Sequence, residues 1–126
     1  VNVQAGTAYA DSVQRIQMLF DGLIDSLAAA EGQIEREEMQ AKGESLARAM
    51  RIIVGLQGSL NLEKGGEIAV NLASLYGYCA RRLTHANLEN DAEAIQEVKR
   101  LINEIREAWA QVPELLQQQK VANAGR

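Results

Sequence analysis

The sequence predicts an all-α fold, an antiparallel up-down four-helix bundle, and three observations carry that prediction. Only one proline, one Trp, one Phe and three Tyr occur in 126 residues, while Ala, Leu, Glu, Gln and Arg recur, a composition of good helix formers. Large apolar residues return at alternating spacings of three and four in four separate stretches. Polar or glycine-bearing breaks separate those stretches.

The first stripe runs through Val13, Ile16, Phe20, Leu23, Leu27, Ala30 and Ile34, with Asp11 or Ser12 placed to cap its start. The segment from Gln33 to Gly43 loses the period and is expected to be a connection or a frayed end. Leu46, Ala49, Ile53, Leu56 and Leu60 form the second stripe, which stops near Leu60. Gly65 and Gly66 permit a tight reversal, and Glu67 falls in the next first turn, where the helix dipole favours an anion. Ile68, Leu72, Leu75, Cys79, Leu83 and Ala86 make the third stripe. Asn90 with Glu93 three residues on resembles a capping box opening the fourth, which continues through Ile95, Val98, Ile102, Ile105 and Trp109 until Pro113. Four segments of about 20 residues are each about 30 Å long, and short turns make neighbours antiparallel. The folded core is expected over residues 10–112 of one domain, with a tail at 113–126 that is either a short C-terminal extra helix or a mobile end.

Hydrophobic residues make up 47% and charged residues 24%, which fits a packed globule better than a disordered chain. A formal net charge of -4 with no basic tract argues against nucleic acid. The sequence contains no apolar run of membrane-spanning length and opens with no signal-peptide pattern, so a cytoplasmic location is expected.

Candidate chemistry is sparse. His85 is the only histidine and Cys79 the only cysteine, so neither a zinc site nor a di-iron Glu-x-x-His pair can be assembled, and no metal or cofactor is expected. Cys79 sits on an apolar stripe and reads as a small core residue. Arg81, Arg82 and Arg106 either pair with acidic neighbours or line an anion pocket of a small helical enzyme, a minor alternative. More informative are apolar residues off the stripe centres: Met18, Ile52, Val54, Val70, Tyr78 and Leu101. They are either flanks of a broad core face or the lining of grooves for an amphipathic partner segment, and periodicity does not choose between these. A generic helical adaptor, or a bundle that self-associates as a homodimer, would use the same surplus.

The run Ser59-Leu60-Asn61-Leu62-Glu63-Lys64-Gly65-Gly66-Glu67-Ile68-Ala69, with Asn71-Leu72, Leu75-Tyr76 and Tyr78, resembles the signature of the flagellin-specific chaperones of flagellar type III export. Met18-Leu19-Phe20-Asp21-Gly22, Arg82-Leu83, Ala86-Asn87 and Ile105-Arg106-Glu107-Ala108-Trp109 are similar to further motifs of that family. The likeness covers residues 10–112 and departs at Ser12, where the family usually has proline, and before Val3, where the family's tyrosine-bearing N-terminal segment has no match. The resemblance implies a cytoplasmic chaperone, not an enzyme, that binds the disordered C-terminal segment of flagellin. It also implies blocked premature polymerisation and release of the client at the export gate without ATP or metal. Within it, Ile52, Val54, Val70, Tyr78 and Leu101 are the expected partner-binding residues, with Tyr76 shared between core and groove.

Overall fold

The computed structural model describes the backbone of residues 2–111 and the side chains of residues 12–111. The expected C-terminal extra helix lies outside the described residues. Four helices follow one another: α1 (Asn2–Glu35), α2 (Met39–Gly58), α3 (Leu62–Glu89) and α4 (Ala92–Ala110). They form a ring in which α1 packs on α2 and α4, and α3 packs on the same two from the opposite corner. Cross-links read out the antiparallel order: Arg48 reaches Ser26 of α1, and Lys99 and Arg106 of α4 pair with Glu31 and Asp21 of α1.

Four helix boundaries differ from those the sequence predicts, among them the start of α3, which opens at Leu62 and not after the Gly65–Gly66 pair. Helical backbone begins at Asn2, so Ser12 lies inside α1. Ala5, Ala8 and Ala10 favour helix, and a capping residue caps only where the chain before it is not already helical. The α1–α2 connection shrinks to residues 36–38 and is closed by backbone bonds, Glu38 N–H to the Gln33 carbonyl at 2.8 Å and Glu37 N–H to that of Ile34 at 3.0 Å. This is a Schellman stop with Glu37 in the left-handed position, φ 60°. α2 therefore starts earlier than its stripe, and Lys42 becomes one of its buried residues.

At the other end of α3, Asn90 is the left-handed stop, with φ 53°, and does not open α4. The cap of α4 is Asp91, whose Oδ1 accepts from the N–H groups of Glu93 and Ala94 at 3.1 and 3.3 Å. α3 itself opens on a single turn capped by Asn61, whose side chain accepts from Lys64 N–H at 3.0 Å, before a kink at Gly66 with φ 54° and ψ -133°. That backbone conformation belongs to glycine. Gly65 is also required, because a Cβ there would stand 2.6 Å from the Ala69 side chain.

Phe20, Leu23 and Leu27 of α1, Ile53 and Leu56 of α2, Tyr76, Cys79 and Leu83 of α3, and Ile95, Val98 and Ile102 of α4 fill the interior at essentially zero exposure. Burial of each large apolar side chain stabilises the bundle by about 1.5–3 kcal/mol. The interior is complete around the middle of the ring and thins toward the end that carries the α2–α3 turn.

Candidate partner-binding grooves

Two adjoining depressions open at that end. A cavity of about 220 Å³ is walled by Ile16 of α1, Leu56 and Leu60 of the α2 end, Ala69 and Tyr76 of α3, and Trp109 of α4. A wider groove of about 400 Å³ runs between α3 and α4, lined by Ile68, Leu72, Ile105, Ala108 and Trp109, with Glu104 as its one charged side chain. Ile68, Leu72 and Trp109 belong to both, so the two form one continuous apolar surface. Ile68 is 72% exposed, an unusual state for a large aliphatic residue on a stripe that is otherwise packed. The Gly65–Gly66 kink stands just before Ile68 at the start of α3.

The seam between α3 and α4 changes character along its length. Past Leu75 and Leu101, which are half-buried against the core, it is closed by a polar clasp. Tyr78 Oη donates to Glu97 Oε2 and Arg82 Nε donates to Glu97 Oε1, both at 2.7 Å. The hydrogen bonds from Tyr78 and then Arg82 hold the Glu97 carboxyl below its ordinary range, and the same contact pushes the Tyr78 phenol up. The apolar groove therefore has an open end at Trp109 and a charged end at Glu97.

The six residues expected to bind a partner do not form one strip. Val54 and Val70 are 64% and 53% exposed. Helical phase places both on the outer edge of the α2–α3 seam, since Arg48 marks the α1-facing flank of α2 and Tyr78 the α4-facing flank of α3. Ile52 turns the other way and lies beside Gly22 of α1. Leu101 and Tyr78 occupy the inner α3–α4 seam, half-buried. Tyr76 is 1% exposed and forms a wall of the cavity from the interior side, where burial pushes its phenol up to about 12. Met18 is exposed on α1.

Sequence reasoning assigned Ile16, Leu60, Ile68, Leu72, Ile105 and Trp109 to core stripes, and the structure places all six on the groove and cavity walls. The available signal was position for five of them: Leu60, Ile68, Leu72, Ile105 and Trp109 lie toward the end of the bundle marked by Gly65 and Gly66, whereas Ile16 stands about four turns inside α1 and carried no such signal.

No chemistry competes with this apolar surface. Arg82 and Arg106 are on different seams, paired with Glu97 and Asp21, so the two do not share a pocket. His85 pairs with Asp91 across 3.2 Å. Cys79 is buried and its thiol is pushed up to about 11 by burial, so it stays protonated near neutral pH. Among the described residues no cluster of acidic, His and Cys side chains could hold a metal, and no helix is long and apolar enough to cross a membrane.

Comparison with known proteins finds relatives along most of the chain. The family model for the flagellar protein FliS matches residues 2–115. The chain is 49% identical over 113 residues to the flagellar secretion chaperone FliS of Salmonella typhimurium, covering 89% of this chain and 84% of that one. It is 40% identical over 110 residues to the flagellar secretion chaperone FliS of Escherichia coli, covering 86% and 81%, and 39% identical over 109 residues to the flagellar secretion chaperone FliSB of Pseudomonas aeruginosa, covering 86% of each. A solved structure described as a flagellar chaperone from bacteria superposes with a TM-score of 0.76 over 90% of this chain and 98% of that chain, and at 15% identity it speaks for the fold alone. With a helical bundle of this architecture and relatives of this identity along most of its length, the chain belongs to the flagellar protein FliS family.

Proposed function

We propose that this flagellar export chaperone captures the disordered C-terminal segment of flagellin in the cytoplasm, blocks its premature polymerisation and keeps it competent for export. The observation that carries the reading is the continuous apolar surface from Ile16 and Leu60 through Ile68 and Leu72 to Ile105 and Trp109. An amphipathic client helix lays its apolar face into a groove of this kind, with anchors one helical turn apart. Val54 and Val70 extend the contact along the α2–α3 seam, Leu101 and Tyr78 bound the groove, and Tyr76 supports it from within, while Ile52, on the α1 side of α2, stands apart from it.

The physics of holding follows from mass action. A ligand that binds only the unfolded form of its client stabilises that form, by about 2.7 kcal/mol at a hundredfold excess over Kd. The client loses conformational freedom on wrapping, which keeps affinity moderate for the area covered and permits hand-over to the export gate without an energy source. Calorimetric titration with the C-terminal segment of the cognate flagellin, against a scrambled peptide of equal composition, tests the reading. Saturable binding of the native order alone is expected, and equal heats from both peptides would remove it.

A further inference from the structure

Glu97 and Glu104 stand on the same flank of α4, about two turns apart, and α3 treats them differently. Glu97 receives the Tyr78 hydroxyl and the Arg82 guanidinium. Because the helices are antiparallel, the α3 positions two turns back that would serve Glu104 in the same way are 71 and 75, and these hold Asn71 and Leu75. Glu104 is exposed, lines the groove, and has no hydrogen-bond or ion-pair partner among the described residues. The groove thus presents an apolar floor with one unpaired carboxylate on its rim, at a place where the fold elsewhere supplies an arginine.

We infer that Glu104 is the charge-reading residue of the groove, and that the segment seated there is an amphipathic helix carrying an arginine or lysine beside its apolar face, which takes toward Glu104 the part Arg82 takes toward Glu97. This rests on the groove being the client site and adds what kind of helix it accepts. A cation on the client's flank fixes the rotation and register of the helix, which apolar contacts alone leave loose. Guanidinium suits the position better than ammonium because its planar fork can meet both carboxylate oxygens. A client helix with an acidic residue at that flank is turned away by like charge.

The test titrates the full chain with the C-terminal segment of the cognate flagellin at low and at high salt, using Glu104→Gln, Glu104→Arg and the groove control Leu72→Asp, with helicity checked by circular dichroism. At low salt, Glu104→Gln is expected to weaken binding about three-fold and Glu104→Arg about ten-fold, with both differences shrinking as salt is added. One peptide with a single Arg or Lys changed to Glu should bind Glu104→Arg better than the parent chain. Unchanged affinity in both Glu104 variants, or no charge-swapped peptide that regains binding, overturns the inference. Loss of binding in Leu72→Asp alone leaves the groove as the site and removes only the charge reading, whereas a parent chain that does not distinguish native from scrambled peptide removes both.

Discussion

The ammonium of Lys42, near the start of α2, donates to the backbone carbonyl of Asn87 in the last turns of α3 at 2.9 Å, and also to the Asn90 side chain. Lys42 is 6% exposed and meets neutral oxygens at a helix C-terminus, where the dipole favours a cation. Lys42→Met keeps the stem and removes the donor. It should cost about 1–2 kcal/mol, measured as a lower denaturant midpoint with an unchanged slope, and an unaltered midpoint would show that water replaces the ammonium freely.

Gly66→Ala should destabilise by about 1–3 kcal/mol, because φ 54° with ψ -133° is closed to residues with a Cβ. Open space surrounds the Cβ position, so the loss is conformational and not steric. The same change should weaken client binding by displacing Ile68. A chemical melt and one peptide titration check both, and a variant as stable as the parent contradicts the backbone account.

The clasp gives stability a pH signature. Glu97 titrates below its ordinary 4.5 in the folded state, so its contribution is complete above that value and fades as pH falls through the folded one. Tyr78 titrates above its ordinary 10.0, so its share is present below pH 10 and is lost on the alkaline side. Melting temperatures across the acidic range should fall less steeply for Glu97→Gln than for the parent. Parallel curves would mean that the clasp adds nothing to folding.

Val54→Asp and Val70→Asp should leave the melting temperature nearly unchanged, within about 0.5 kcal/mol, since both side chains already face solvent. Leu101→Asp sets a charge against the core and should cost about 1–3 kcal/mol. Peptide capture should fall in all three. Full capture by both valine variants would confine the client to the α3–α4 side of the bundle.

The architecture was legible because four stripes of period 3.6 leave few alternatives, and Phe20, Leu23, Leu27, Ile53, Leu56, Cys79, Leu83, Ile95, Val98 and Ile102 of those stripes do fill the interior, where Tyr76 joins them from off the stripe. Ends were less legible. Asn90 and Asp91 are both competent caps, and only the left-handed turn that closes α3 decides between them. The 33–43 segment lost its apolar period because its buried member is Lys42, which a hydrophobicity pattern discards. The groove was hidden for a related reason: a wheel registers which way Ile68 or Trp109 points along its helix, and it carries no record of whether another layer exists at that height.

Packing around the ring is uneven, with α1 held closely by α2 and α4, and α3 held more lightly by the same pair. The lightly held member carries Ile68 and Leu72, so one wall of the groove is the least buttressed of the four rods. Amide hydrogens in the opening turns of α3 would then exchange through minor excursions, those in the middle of α1 only through whole-molecule opening. Occupancy by a passenger chain would be recorded as slowed exchange at the first set with the second left as it was.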